Sequence, residues 1–297
     1  MENALNRKIR ELKMNKIMMQ ALVAGTIAFV SVASANTVTV NSNSGSPGDD
    51  FTNPTTSSTS LVTPGAALDA SGWYYNNVRN NGHVGIQTTY PYDGNGSVAF
   101  NATQGPSGNS SKADIEYYNV VGGVPQALGT LGNLTSFSYN WYRASGGTAA
   151  EWDVPCLRLY VASPDGTKSG YLIFEPVYNA LGNNAAPVNQ WETNNIVAED
   201  DHLWSSGSTL PNLGNDYGDA VKLSAWQSNY GNYLVYGISA GVGSGWGTFQ
   251  GAVDDITVGF GGASTTYDFE VVPEPGTVAL VSTGLMGLLI VVRRRKA

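Results

Sequence analysis

Carboxylates are the first chemistry this sequence offers, and several stand in pairs. Asp254 and Asp255 sit at the entry to an alternating apolar segment, Asp200 and Asp201 follow Glu199, and Asp165 shares a turn with Gly166. Hard oxygen ligands held in loops are what calcium takes, so a calcium site at Asp254 and Asp255 is one reading. Solvated acidic turns are the other. The spacing matches no EF-hand type of loop, and neighbouring carboxylates on a regular strand point to opposite faces, which keeps them from sharing an ion.

Aromatic residues form the second set. Trp73 and Tyr74, Tyr90 and Tyr92, and Trp246 lie among Gly and Asn, where loops display flat rings that can stack on sugars. The same rings can instead plug a core or cover sheet edges. Glu116, Glu151, Glu175 and Glu192 supply carboxylates for a glycosidase pair, which needs about 5–10 Å between its members. Glu175 can equally pair with Arg143 or Arg158. Cys156 is the single cysteine, so no intramolecular disulfide forms, and its run Val154-Pro155-Cys156-Leu157 suits a small buried hydrophobe. With only His83 and His202, and with no nucleophile elbow, histidine metal cluster or phosphate loop, no catalytic residue is assigned and the expectation is a non-enzyme.

These residues need strands to hold them. Val98 and Phe100 alternate, Phe137, Tyr139 and Trp141 share one face, and Leu157, Leu159 and Val161 share another. The turn Ser163-Pro164-Asp165-Gly166 leads toward Tyr171–Glu175 and reads as a hairpin. Val221–Trp226, Leu234–Ser239, Ala252–Phe260 and Tyr267–Val271 complete a pattern without a convincing helix between residues 36 and 272. Strands with one apolar face must bury it against a second sheet. The expected fold is therefore all-β, a two-sheet antiparallel sandwich of jelly-roll type over residues 71–271, behind a flexible leader rich in Ser, Thr, Asn and Gly at 36–70. The segment Val253–Val258 resembles the last strand of many carbohydrate-binding and lectin-like sandwiches.

Both ends carry transport signals. Basic residues through Lys16, an apolar run from Ile17 to Val32, and the small residues Ala33 and Ala35 describe a secretory signal over 1–35, cut by signal peptidase before Asn36. The tail over 272–297 reads Pro273-Glu274-Pro275, then an apolar segment from Thr277 to Val292, then Arg293, Arg294, Arg295 and Lys296. The apolar segment is long enough to cross a thin bilayer as a single transmembrane helix, and the terminal cations stop transfer and hold that end inside. Pro273 and Pro275 keep Glu274 extended, as a protease substrate must be. This tail resembles the PEP-CTERM sorting signal of Gram-negative bacteria. The resemblance covers about the last 26 residues and implies passage through the inner membrane, recognition by the transpeptidase-like exosortase, and a link to exopolysaccharide and biofilm.

Between residues 36 and 272 six Lys and Arg stand against twenty Asp and Glu, a net charge of -14. That balance excludes nucleic acid as a partner and permits calcium. The combined expectation is an exported surface or matrix protein that binds exopolysaccharide. A secreted polysaccharide-processing enzyme, hydrolase or lyase, and a purely structural adhesin are the alternatives.

Overall fold

The computed structural model describes residues 34–60, 64–102, 111–182, 184–207, 209–210 and 220–273. The expected signal segment with Ala33, the sorting residues Glu274 and Pro275, the expected transmembrane helix and the Arg293–Lys296 cluster lie outside the described residues. Among the described residues no helix is long and apolar enough to cross a membrane.

Alternation of apolar and polar residues produces two packed sheets. One has eight strands: β1 (Ala35–Gly45), β2 (Phe51–Thr52), β5 (His83–Ile86), β6 (Val98–Ala102), β11 (Leu134–Arg143), β14 (Trp191–Asn195), β18 (Phe249–Phe260) and β19 (Ala263–Val272). The other has nine: β3 (Ala66–Leu68), β4 (Trp73–Arg79), β7 (Lys112–Tyr118), β10 (Gly129–Thr130), β12 (Cys156–Ala162), β13 (Ser169–Phe174), β15 (His202–Ser206), β16 (Val221–Lys222) and β17 (Leu234–Val242). A small ribbon, β8 (Val120–Val121) with β9 (Val124–Pro125), stands apart. The expected hairpin is present, with Leu159 opposite Leu172. Its turn is closed by the Gly166 amide donating to the Ser163 carbonyl at 2.8 Å.

Strand β18 organises the eight-stranded sheet. It pairs with β11 along one edge. On its other edge β6 occupies Phe249–Val253 and β19 takes over at Ile256–Phe260. The fork falls at Asp254 and Asp255. There the β11 register slips, Ser138 facing Thr257 while Asn140 faces Asp254, and Asp255 takes φ +48°. This is a β-bulge.

The core lies between the sheets. Phe137, Tyr139 and Trp141 of β11, Phe100 of β6 and Phe269 of β19 face Trp73 and Tyr75 of β4, Ile115 of β7 and Leu157, Leu159 and Val161 of β12, all buried. Each such side chain contributes about 1.5–3 kcal/mol by leaving water. Trp73 meets Tyr267 and Phe269 edge-on across the gap, at 5.2 and 5.1 Å.

Three expectations need correcting. The stretch 36–70 is not a flexible leader throughout: β1, β2 and β3 belong to the sheets. Thr37, Val38, Thr39 and Val40 alternate, and β1 lies parallel to β19, Val40 opposite Phe269. Ser, Thr and Asn content suggested flexibility, but a waiting strand edge supplies the hydrogen bonds. Second, Val221–Trp226 is only briefly a strand; the chain turns into the helix α1 (Leu223–Tyr230). Leu223 and Trp226, three apart, are its buried residues, and Asp200 stabilises its first turn, Oδ1 accepting from the Ser224 amide at 2.8 Å. Third, Trp73 is 0 % exposed, so it plugs the core and is unavailable for stacking on a sugar.

Trp73→Ala should cost about 3–5 kcal/mol of folding stability, whereas Tyr74→Ala, on the opposite face of the same strand and half-buried, should cost less than about 1.5 kcal/mol. Urea denaturation of both variants checks this; equal losses would contradict the core assignment.

Candidate functional site

The outward face of the eight-stranded sheet carries an aromatic shelf beside a polar hollow. Trp191 of β14 lies opposite Tyr142 of β11, Tyr142 opposite Ala252 of β18, Ala252 opposite Ala99 of β6 and Ala99 opposite Gly85 of β5. Two large rings thus stand at one end of a row whose other members are small. Tyr90, from the loop after β5, stacks on Tyr142 with centroids 4.8 Å apart and planes 26° apart. Trp191 lies 5.6 Å from Tyr142 and 5.0 Å from Tyr92, and Tyr92 is 43 % exposed.

The loop bearing Tyr90 and Tyr92 is pinned. The indole of Trp191 donates to the Pro91 carbonyl at 3.2 Å, the Ser97 hydroxyl donates to the Tyr90 carbonyl at 2.5 Å, and Glu270 accepts from the Asn95 amide at 2.7 Å. Beyond Tyr90, the next row places Gln250 opposite Asn101 and Asn101 opposite His83. With Asp50, Gln87, Thr89 and Tyr90 they line a cavity of about 250 Å³. His83 Nδ1 is 2.9 Å from Asp50, and the Tyr90 hydroxyl donates to Gln250 at 3.4 Å. Gly85 is needed in the floor, because a Cβ there would stand 1.8 Å from the Asp49 carbonyl oxygen. Flat rings next to amides, a carboxylate and an imidazole give a surface that can stack on a sugar and hydrogen-bond its hydroxyls.

On the same sheet, two residues from Tyr142 along β11, at Asn140, lies an acidic cluster. Carboxylate oxygens of Asp254, Asp255 and Asp268 all lie within 4.8 Å of one another. Opposite-face geometry does not keep Asp254 and Asp255 apart here, since the bulge turns the backbone between them. Asp254 Oδ1 accepts from the Phe269 amide at 3.1 Å and the Asp255 amide at 2.8 Å. Burial chiefly pushes the Asp254 carboxyl up to about 8, helped by the charges of Asp255 and Asp268. Asp268 is pushed up to about 6, first by burial and then by its acidic neighbours. The other candidate carboxylates lie elsewhere: Asp200 is tied to α1, and Asp165 accepts from Ser163 and Thr167 within its own turn.

The outward face of the nine-stranded sheet holds a buried polar network. Arg158 reaches Asp114 at 3.0 Å, the Ser239 hydroxyl at 3.1 Å and Cys156 Sγ at 2.6 Å. Lys112 joins Asp114 at 3.1 Å. Glu116 accepts from Asn76 at 2.8 Å, Tyr118 at 3.0 Å and Tyr171 at 3.3 Å. Burial pushes the Glu116 carboxyl up, and the Asp114 charge adds to it. Two glycines of β17 make room: a Cβ at Gly241 would stand 2.0 Å from Asp114 Oδ1, and one at Gly237 would stand 2.5 Å from the Tyr118 ring. Cys156 is buried, as expected of it, but on this polar side, where desolvation pushes its thiol up to about 11. That is an inert thiol at neutral pH.

Of the candidate sugar-stacking residues, Tyr90 and Tyr92 meet, joined by Tyr142 and Trp191, which sequence reasoning missed. Tyr142 was readable only as the outward partner of Trp141, and Trp191 only once β14 was placed beside β11. Tyr74 sits on the other sheet, opposite Glu116, and Trp246 packs edge-on against Phe249 at 5.3 Å. Of the glutamates, Glu175 accepts from the Trp204 indole at 3.2 Å, and Glu151 is exposed.

Residues 271–296 match the family model of the PEP-CTERM protein-sorting motif, and the chain carries that motif. No curated protein matches the chain in sequence. Among solved structures, it is similar to one described as the structural basis for the promiscuous specificity of carbohydrate-binding modules from the β-sandwich superfamily, at 15% identity and a TM-score of 0.30, over 63% of this chain and 56% of that one. It is also similar to a mutant of ENZbleach xylanase, at 9% identity and a TM-score of 0.35, over 73% of this chain and 88% of that one. The chain thus spans little more than half the length of the first of these.

Removing one member of a buried ion pair strands the other. Arg158→Met should therefore cost about 3–5 kcal/mol by leaving Asp114 undercompensated, and adding Asp114→Leu should recover part of that loss. Urea titration of Arg158→Met, Asp114→Leu and the double variant measures it; a double variant as unstable as the sum of its parts would show no coupling.

Proposed function

We propose that this chain is exported, cut before Asn36, sorted at its Pro273-Glu274-Pro275 tail by exosortase, and displayed outside the cell as a sandwich that binds exopolysaccharide without cleaving it. The motif at 271–296 supports the sorting step. One observation carries the binding reading: the rings of Tyr90, Tyr92, Tyr142 and Trp191 follow one another at 4.8–5.6 Å beside the hollow lined by Asp50, His83, Asn101 and Gln250. The use of two of the candidate carboxylates supports a reading without cleavage. Both oxygens of Glu116 are engaged by neutral donors, and Glu175 holds the Trp204 indole, so these two act as structure.

Affinity electrophoresis against the exopolysaccharide of the producing cell tests the site. The chain should be retarded, and Tyr92→Ala and Trp191→Ala should each weaken binding roughly tenfold, about 1.4 kcal/mol. No retardation, or retardation indifferent to both changes, sinks the binding reading. Release of reducing ends from the same polymer would replace it with an enzyme.

Mass spectrometry of both termini, in cells with and without exosortase, tests the sorting. The mature chain should begin at Asn36 and lose everything beyond the Pro-Glu-Pro region only when exosortase is present. A tail intact in both strains overturns this part.

A further inference from the structure

Where β18 exchanges one partner for another, three carboxylates converge and two of their oxygens are left over. Asp254 is 0 % exposed, and its Oδ2 has no hydrogen-bond partner. Asp268 Oδ1 is likewise buried and unpartnered. A buried carboxylate oxygen left unpaired carries its full desolvation penalty, larger still when it is charged. Among the described residues, no Lys, Arg or His forms an ion pair with Asp254, Asp255 or Asp268, and Asp93 adds a further negative charge close to Asp255 and Asp268. The polar neighbour from β11 is Asn140, whose amide donates to Asp255 at 3.4 Å.

We propose that Asp254, Asp255 and Asp268 bind one calcium ion, which closes the fork between β6, β18 and β19. The donors are all hard oxygens. Their mutual separations, all within 4.8 Å, let one ion reach all three. A site built from several protein carboxylates suits calcium, which takes about 6–8 oxygens in a flexible shell, better than magnesium, which keeps most of its waters. The three carboxylates supply part of that shell and water the remainder, while Asp93, exposed on the loop beyond Tyr92, adds its negative charge to the field there. The bulge is what makes the site, because φ +48° at Asp255 lets adjacent residues present oxygens to one point.

Calorimetric titration of calcium into the full-length chain stripped with EDTA, with melting curves in EDTA and in calcium, tests the proposal. One calcium should bind per chain, magnesium at least tenfold more weakly, and calcium at a hundred times its Kd should raise Tm by several degrees. Asp255→Asn and Asp268→Asn should each weaken calcium binding tenfold or more and, by relieving repulsion, leave Tm in EDTA unchanged or higher. Asp254→Asn also disturbs the Phe269 cap, so the other two variants decide. No saturable calcium binding, binding that survives both substitutions, or magnesium bound as tightly as calcium would overturn the proposal.

Discussion

A strand has two edges, and β18 must serve three neighbours. It does so by giving the whole of one edge to β11 and dividing the other between β6 and β19. The division leaves a gap in the ladder, and the Phe269 amide at that gap would be orphaned in the interior without Asp254 Oδ1 to accept from it. Much else depends on this arrangement. The slip at the fork sets which residues of β18 point outward, and hence that Ala252 lies low between Tyr142 and Ala99 and leaves room over the sheet. The edge of β19 away from β18 receives β1 along its length.

The second sheet solves a different problem. Its outward side is nearly as buried as its inward one, yet it is polar: Asp114, Glu116, Arg158 and Ser239 are all 5 % exposed or less. Such groups can stay buried only with their partners in place, so each constrains its neighbours' rotamers. The small outward residues of β17, Gly237, Ser239 and Gly241, are what let the long side chains of β7 lie flat across it. The two outer faces therefore divide the labour. One is locked by internal bonds, and the other carries an open hollow beside its rings.

Much of this was readable from residue order. Period-two apolar patterns in β11, β12 and β19 identified strands and their buried faces, because a half-buried strand has no other economical pattern. The Ser163–Gly166 turn identified its hairpin by the same local logic. What was not legible depended on pairing at long range. Composition made 36–70 look unstructured, although Thr37–Val40 only needed an edge about 230 residues away. Trp73 and Tyr90 look alike as aromatics among Asn and Gly; only the partner sheets decide that one is sealed and the other shelves a cavity. The meeting of Asp255 with Asp254 contradicted the rule for regular strands because the strand is irregular there, and a bulge without glycine at its positive φ leaves little trace in sequence.

The parallel seating of β1 on β19 bears on mechanics. Ala35 adjoins Ser264, whereas Gly45 adjoins Val272, so the two ends of the folded chain leave from opposite ends of one ribbon, roughly 30 Å apart at about 3.3 Å per residue. A pull applied beyond Val272 runs along β19, which is flanked by β1 on one side and β18 on the other. Such a force acts in shear, loading the rungs of both ladders together instead of peeling them one at a time. Any tension on the C-terminal end of the body would thus be borne by two ladders in shear.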